Sequence, residues 1–257
     1  MPIMQVVVCI KQVPETGAVD IDPQRLTLRR ASAPAILNPA DAWAIELAVR
    51  LAGPQGATAV SMGPPAAEAV LREAVARGCE RAVLASDPAF AGSDTWATAV
   101  VLAGVLQTLG PVDLVVCGRM ASDGDTAQVP PELAALLGWP QATEVASANA
   151  DAGHLYLTRR VDDAEEDLDL PLPAVITVLK QACVPRLPNL PQVLRARRCP
   201  ITVLDRAALG LDPAACGLTG SPTRVERIFA PPAHGQAQQH PDLAALDSAL
   251  RRQGLLP

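Results

Sequence analysis

Four short apolar segments without polar alternation constrain the fold of this chain most strongly. They are Gln5 to Ile10, Ala57 to Met62, Arg81 to Ala85 and Val112 to Cys117. Continuous apolar runs of this length are typical of parallel strands that helices cover on both faces. The segments therefore predict the core strands of an open parallel sheet.

Helical patterns fill the intervals between these runs. Asn38-Pro39 offers an N-cap residue followed by proline at the first helical position, and the segment ends at Gly53-Pro54. A second helical pattern follows Gly63-Pro64-Pro65, and a third opens at Ser93-Asp94. Strands that alternate with helices predict an α/β fold, a doubly wound parallel sheet with right-handed crossovers.

Two insertions and a proline-rich end depart from this repeat. Asp22 to Arg25 reads as the turn of a hairpin before the first helix, and His154 to Lys180 as a meander of strands. From Pro185 onward proline is frequent and periodicity is lost, so this part cannot form a core of its own. We therefore expect an α/β domain over residues 1–184 and an extended C-terminal arm over residues 185–257, with a short helix at Leu243 to Leu256.

Charge and cysteine usage exclude several classes of partner. The formal net charge is -6, which gives no basic field for nucleic acid or for an anionic membrane. The six cysteines form no C-x-x-C pair, which favours a reduced protein without a thiolate metal site. The start, MPIMQVVVCIK, has neither a basic n-region nor a long apolar run. We expect a cytoplasmic protein without nucleic-acid binding or membrane insertion.

The exits of the predicted strands are the places to search for a ligand site. Ligands of open parallel sheets bind beyond the carboxyl ends of the strands. The exits are Cys9 to Gln12, Met62 to Pro65 and Gly118 to Val129. In the third exit Gly118 permits a sharp turn, and the free amides before the next helix suit a phosphate or pyrophosphate. A charged turn that only caps this helix is the alternative, since Asp123 and Asp125 would repel phosphate.

Pro130 limits where the helix after this exit can begin. If Asp125 were the cap, Pro130 would lie past the first turn and remove a helical hydrogen bond. We therefore expect the helix to begin near Pro130, with Asp125 to Gln128 as an irregular turn over the ligand.

Conventional catalysis finds little support in the sequence. The three histidines, His154, His234 and His240, lie near no nucleophile motif, and there is no Walker loop and no G-x-G-x-x-G after the first strand. Asp162 to Asp167 is most simply a solvated hairpin tip, with metal binding as the alternative. Arg195 to Arg198 is most simply surface on the arm, with a docking role as the alternative. We therefore predict no catalytic residue and no metal ligand.

Taken together, several stretches resemble the beta subunit of electron-transfer flavoprotein. They are VVVCIKQVPET (Val6 to Thr16), LNPADAWAIELAVRL (Leu37 to Leu51), VSMGPPAAEAVLREAVARGCERAVL (Val60 to Leu84), GRMASDGDTAQVPPELAALLGWPQAT (Gly118 to Thr143), LPAVITV (Leu172 to Val178) and PRLPNL (Pro185 to Leu190). CGLTGSPTRVERIFAP, near the end, resembles the branch associated with nitrogen fixation and electron bifurcation. Six motifs in order make the resemblance specific, from Val6 to about Pro231.

The resemblance implies a fold, a partner and a cofactor. The fold is of the adenine-nucleotide alpha-hydrolase type, and the partner is an alpha subunit that carries an electron-passing FAD. The beta subunit of this family binds AMP or, in bifurcating members, a second FAD that accepts electrons from NADH, with NAD as a transient substrate. Residues carried over as cofactor-binding are Cys9, Asn38, Pro39, Ala40, Asp41, Met62, Gly118, Arg119, Met120, Ala121, Ser122, Asp123, Gly124, Asp125, Thr126, Ala127, Gln128 and Val129. Leu190 corresponds to the leucine that docks a partner dehydrogenase or quinone oxidoreductase.

Three positions depart from the pattern of AMP-binding members. Gly124 stands where they tend to carry the middle aspartate of D-D-D, which favours FAD over AMP because the loss of this carboxylate leaves room and removes a negative charge near the pyrophosphate. Pro130 replaces a glycine, and Val184 replaces the glutamate of N-E-P-R. The changes at Pro130 and Val184 put bifurcation in question, although not electron transfer.

Two hypotheses of different class follow. The first is an electron-carrier subunit that holds FAD, or AMP, and embraces an alpha subunit with its C-terminal arm. The second is a stand-alone adenine-nucleotide-binding regulatory module of the stress-protein type, which would leave the long arm nothing to wrap around.

Overall fold

The computed structural model describes residues 4–15, 21–22, 27–28, 35–226 and 239–256. The strands are β1 (Val6–Cys9), β2 (Gln12–Pro14), β3 (Ile21–Asp22), β4 (Thr27–Leu28), β5 (Ala35–Leu37), β6 (Thr58–Met62), β7 (Arg81–Ala85), β8 (Leu114–Gly118), β9 (Gln141–Asp151), β10 (His154–Val161), β11 (Ala164–Pro171), β12 (Ala174–Val178) and β13 (Ile201–Leu204). The helices of four residues or more are α1 (Asp41–Ala52), α2 (Glu68–Ala76), α3 (Thr95–Thr108), α4 (Val129–Leu137), α5 (Leu190–Arg198), α6 (Gly217–Gly220) and α7 (Leu243–Arg252).

One sheet organises the described residues up to Val225. It has nine strands in the order β11-β10-β9-β12-β8-β1-β6-β7-β13. The seven strands β9, β12, β8, β1, β6, β7 and β13, adjacent in this order, are all parallel to one another. Beyond β9, β10 and β11 extend the sheet as an antiparallel meander. The predicted α/β fold with a doubly wound parallel sheet is thereby confirmed.

Alternate residues of the central strands face two helical layers. Val6 and Val8 of β1 pack in the same apolar cluster as residues of α1 and α2. Val7, one residue between them, packs in a second cluster with residues of α3 and α4, and the side chain of Cys9 lies against that cluster. Because both faces are covered, the central strands contain uninterrupted apolar residues, as the sequence pattern indicated.

Several local predictions can be compared with the described elements. The inserted hairpin is present as β3 and β4, while residues 19–20 and 23–26, which the prediction included, lie outside the described residues. Asp94 caps α3 by accepting from the backbone N–H of Ala97. The meander is confirmed, but β9, an eleven-residue strand, was not expected. His234 also lies outside the described residues.

The predicted N-cap at Asn38 is wrong. Helix α1 begins at Asp41 with Ala40 as its N-cap residue, and no side chain caps it. The side chain of Asn38 is instead engaged with residues that follow β8. A polar residue before a helix thus indicated the helix correctly, although not what the side chain contacts.

Part of the segment after residue 184 belongs to the sheet and to its helical layer. Strand β13 pairs in parallel with β7, and α5 places the buried Ala196 in the layer that contains α2. The described chain divides into a unit that ends at Val225 and a second that begins at Glu226 and contains α7. The role of residues 185–257 in contacting a partner stays a prediction. None of the helices in the described ranges combines the length and apolar character needed to cross a bilayer.

Candidate functional site

The three predicted strand exits lie side by side at the carboxyl edge of the sheet. Strands β8, β1 and β6 are adjacent, with Cys9 opposite Cys117 on one side and opposite Val60 on the other. Cys9, Met62 and Gly118 are therefore the last residues of three neighbouring strands. This arrangement is the one expected for a ligand site in an open α/β sheet.

Asn38 fastens the chain after β8 to the start of α1. Its side-chain amide donates to the carbonyl oxygen of Met120 at 3.0 Å, and its oxygen accepts from the backbone N–H of Ser122 at 3.2 Å. The same amide donates to Asp41 at 2.8 Å. Asn38 is only 2% exposed, so its own side of these bonds is shielded from water. One buried side chain thus holds a loop more than eighty residues away in sequence.

The hydrogen bonds of Asn38 to Asp41, Met120 and Ser122 form a clamp. Gly118 lets the backbone of β8 pass close to this clamp. A Cβ atom at Gly118 would lie 2.3 Å from Oδ1 of Asp41 and 2.9 Å from the carbonyl carbon of Ala40. Gly118 is not among the glycines with positive φ in the described chain, so the position requires space and not a left-handed turn. The sequence analysis identified the residue but gave it the wrong physical reason.

Asp41 is a buried carboxylate at the centre of the clamp. It accepts from the backbone N–H of Lys11 at 2.7 Å and from the amide of Asn38. Burial raises its pKa from 3.8 to about 7, and the two hydrogen bonds and the charge of Lys11 counteract only part of that rise. Asp41 therefore changes protonation near neutral pH, unlike an exposed aspartate.

The raised pKa predicts that stability depends on pH through Asp41. The folded protein holds this proton between about pH 4 and pH 7 while the unfolded chain releases it. The free energy of unfolding should thus fall as pH rises through that window, by up to about 1.4 kcal/mol per pH unit, and level off above it. We expect urea midpoints at pH 5 to 8 to show this decline in the native protein and a flatter profile in Asp41→Asn. Asp163→Asn, at an exposed hairpin tip, is the control; equal slopes in all three proteins would refute the prediction.

Lys11 neutralises an acidic residue of the loop. Its ammonium group lies 2.7 Å from Oδ1 of Asp123, whose side chain is 4% exposed, and its backbone N–H binds Asp41. The charge on Asp123, which argued against a phosphate nearby, is therefore compensated. Sequence reasoning did not single out Lys11, although a basic residue directly after the first strand was the available signal.

An exposed turn follows the clamped part of the loop. Residues 124–128 are exposed, and Asp125 and Ala127 have positive φ angles of 51° and 54°. Within the described residues the amides of Thr126, Ala127 and Gln128 have no acceptor, and α4 starts at Val129. The prediction that Asp125 to Gln128 forms an irregular turn before the helix is confirmed. Free amides at the positive end of a helix are suited to bind a phosphate or pyrophosphate.

The other predicted site residues take different positions. Arg119 forms an ion pair with Glu144 of β9 at 2.8 Å, which directs its guanidinium group toward that strand. Pro39 and Ala40 form the turn before α1, and Ala121 accepts from the N–H of Asp125 at 2.8 Å. Direct contact of these residues with a cofactor stays a prediction.

Leu190, the first residue of α5, belongs to a second exposed region. It is 70% exposed, and Val184 and Leu187 just before it are 81% and 84% exposed. The backbone here is held by Arg186, whose Nε lies 2.7 Å from Oε2 of the buried Glu46. Burial opposes ionisation of Glu46, but hydrogen bonds from Arg186 and Arg50 outweigh it and hold its pKa below the usual value. Sequence reasoning missed Glu46, although a carboxylate inside the apolar stripe of α1 was a visible signal.

Comparison with known proteins shows extensive similarity. The profile of the electron transfer flavoprotein domain matches residues 25–209. The chain is 42% identical to the caffeyl-CoA reductase-Etf complex subunit CarD of Acetobacterium woodii over 235 residues, 90% of each chain. It is 41% identical to the electron transfer flavoprotein subunit beta of Thermoanaerobacterium thermosaccharolyticum over 231 residues, which cover 89% of this chain and 88% of that protein. With protein FixA of Azotobacter vinelandii it shares 40% identity over 237 residues, 89% of this chain and 84% of FixA.

Proposed function

The chain belongs to the electron transfer flavoprotein family, like the beta subunits that it resembles, and we propose that it binds an adenine nucleotide at the carboxyl edge of its sheet. The nucleotide that we propose is FAD in preference to AMP. In this proposal it pairs with an alpha subunit and helps pass electrons between a donor dehydrogenase or NADH and an acceptor. The observation that supports the proposal most directly is the turn of free amides at the start of α4, held in place by Asn38 and Lys11.

The residues present fit the chemistry of a dinucleotide. Phosphate oxygens need donors, which the amides of residues 126–128 supply, and the acidic Asp123 beside them is paired with Lys11. A flat ring needs apolar surface, and the half-buried Cys9 and Met62 end two neighbouring strands beside the loop. With aromatic residues at only 2% of the sequence, aliphatic and sulfur-containing side chains would provide these contacts.

The protein contributes binding and orientation. A bound flavin would supply the redox chemistry of hydride and single-electron transfer. Asn38, Asp41 and Lys11 order the loop before a ligand arrives, which lowers the conformational entropy lost on binding. No side chain of this site is needed as an acid, base or nucleophile.

Gly124 supports FAD over AMP because it lacks the negative charge of aspartate, and not because of its shape. It is exposed, a Cβ there would meet no atom within 4 Å, and its φ angle is not among the positive ones. Neither space nor backbone conformation therefore demands glycine at this position. What distinguishes it from aspartate is the missing carboxylate, whose negative charge would oppose the binding of a pyrophosphate at this loop.

We expect substitution at Gly124 to change which nucleotide the protein retains. The wild-type chain, co-expressed with its alpha subunit, should release two FAD per heterodimer on denaturation. Gly124→Asp should lower the FAD content toward one per heterodimer and leave AMP in its place, because the new carboxylate would repel the second phosphate of FAD, which AMP lacks. Chromatographic quantitation of released nucleotides measures both.

Gly124→Asn is the matched control for this experiment because asparagine has the shape of aspartate without its charge. It should retain two FAD. One FAD and one AMP in the wild-type heterodimer would refute the preference for FAD, and no nucleotide beyond the FAD of the alpha subunit would refute the site itself.

Leu190 is the residue that we propose for docking a partner dehydrogenase. Leu190→Ala should raise the KM for the reduced partner about tenfold, the equivalent of roughly 1.4 kcal/mol of lost apolar contact, without changing nucleotide content. Leu218→Ala, at a leucine that is 59% exposed elsewhere, should leave this KM unchanged. Equal effects of the two substitutions would show that the α5 surface has no special role.

A further inference from the structure

Two cysteines face each other at the carboxyl edge of the sheet. Cys9 of β1 lies directly opposite Cys117 of β8 in a parallel pairing, so both side chains leave the sheet on the same face. Both belong to the apolar layer that contains α3 and α4. Neighbouring strands lie about 4.8 Å apart, and disulfides join Cα atoms that are about 4.4 to 6.8 Å apart.

The two thiols interact and differ in their access to solvent. Cys117 is 5% exposed and Cys9 is half-buried. The neighbouring thiol of Cys9, together with burial, holds the pKa of Cys117 well above its usual range. Cys79, Cys183, Cys199 and Cys216 all lie outside the strands and have no cysteine opposite them.

We propose that Cys9 and Cys117 form a site of reversible oxidation, in which hydrogen peroxide converts the two thiols into a disulfide. In the first step the sulfur of Cys9, the more exposed of the two, attacks one oxygen of peroxide. The O–O bond breaks, Cys9 becomes a sulfenic acid and one water leaves. In the second step the sulfur of Cys117 displaces the hydroxyl group from Cys9, the S–S bond forms and a second water leaves. Two electrons pass from the thiols to peroxide.

The position of the pair connects its oxidation with the nucleotide site. Gly118 follows Cys117 directly, and Lys11, which holds Asp41 and Asp123, lies two residues after Cys9. This connection rests on the proposed function, in which the nucleotide covers Cys9. A bound nucleotide should then shield the thiol from peroxide, so oxidation should be slower when the site is occupied. The raised pKa of Cys117 should make the second step faster as the pH rises, because the thiolate is the nucleophile.

The test uses the full-length chain in complex with its alpha subunit, treated with hydrogen peroxide at pH 8 and then alkylated with N-ethylmaleimide. Mass spectrometry should find a loss of about 2 Da and a linked peptide that joins Cys9 to Cys117, both reversed by dithiothreitol. Cys9→Ser should abolish the linked peptide, and Cys199→Ser, at a cysteine away from the site, should not. Cys117→Ser should also abolish it, but because Cys117 is buried in the core, circular dichroism must show that this variant folds.

Each outcome bears on the proposal. A linked peptide between another pair of cysteines, or sulfinic acid on Cys9 without any linked peptide, would overturn it. The same assay on protein stripped of nucleotide should give about tenfold faster oxidation than on loaded protein. Equal rates would overturn the connection with the nucleotide site. If the protein held no nucleotide at all, the disulfide would still be scored by mass, so failure of the proposed function remains distinguishable from failure of this inference.

Discussion

Replacing Gly118 with alanine is expected to destabilise the protein by about 3 kcal/mol and to abolish retention of the nucleotide. The added methyl group would lie 2.3 Å from Oδ1 of Asp41, well inside van der Waals contact. Neither partner can yield easily, because Gly118 ends a central strand and Asp41 is buried and bonded to Lys11 and Asn38. Relief of the clash must therefore displace the loop or the start of α1.

Urea unfolding and nucleotide quantitation on the same preparation measure this effect. Gly124→Ala is the matched control: it adds the same methyl group to the same loop, at a position where no atom lies within 4 Å. It should change the free energy of unfolding by less than about 0.5 kcal/mol and retain the nucleotide. If Gly118→Ala behaved like Gly124→Ala, the close approach of β8 to Asp41 would not be a requirement of the fold.

Replacing Asn38 with alanine should release the loop after β8. The substitution removes the donor to the carbonyl of Met120 and to Oδ1 of Asp41 and the acceptor for the N–H of Ser122, so each of these partly buried groups loses this hydrogen bond. An unsatisfied buried polar group costs about 1 to 3 kcal/mol, so we expect a loss of about 3 kcal/mol in the free energy of unfolding. Because the loop must then be ordered at the moment of binding, the Kd for the nucleotide should rise at least tenfold, the equivalent of about 1.4 kcal/mol.

Limited trypsin digestion reports directly on the loop in this variant. Arg119 is the trypsin cleavage site within the loop. Release of the loop should make cleavage after Arg119 faster than in the native protein. Asn149→Ala, at an exposed asparagine of β9, provides the control and should cleave at the native rate. Unchanged cleavage and binding in Asn38→Ala would mean that the loop is ordered by other contacts.

The paired tests at Gly118 and Asn38 separate two properties of the site. Gly118 concerns the space that the backbone needs, whereas Asn38 concerns hydrogen bonds that hold the loop once it is there. A protein that tolerated one substitution and not the other would show which of the two orders the free amides of Thr126 to Gln128. The Asp41 titration adds a third test, because protonation changes the charge on the carboxyl group that Gly118 and Asn38 both approach.

Much of the fold could be predicted because it follows from local chemistry. The uninterrupted apolar residues of β1 and β8 indicated strands covered on both faces, and the capping aspartate at position 94 indicated the start of α3. Pro130, which restricts where helix geometry can begin, placed the start of α4 correctly. Strand β9 was missed because only two of its eleven residues are buried and its apolar alternation is weak.

The sequence by itself determined the architecture, the edge of the sheet at which a site could lie, and membership of a family, since periodicity, turn residues and ordered motifs are all written along the chain. Only the tertiary structure decided how the site is held together. Lys11 meets Asp123 and Asn38 meets Met120 across 112 and 82 residues of sequence, respectively. Such contacts depend on which strands become neighbours and on how closely Gly118 lets two segments approach. Local patterns report which face of an element is buried, but they carry no information on the distance between atoms that distant parts of the chain bring together.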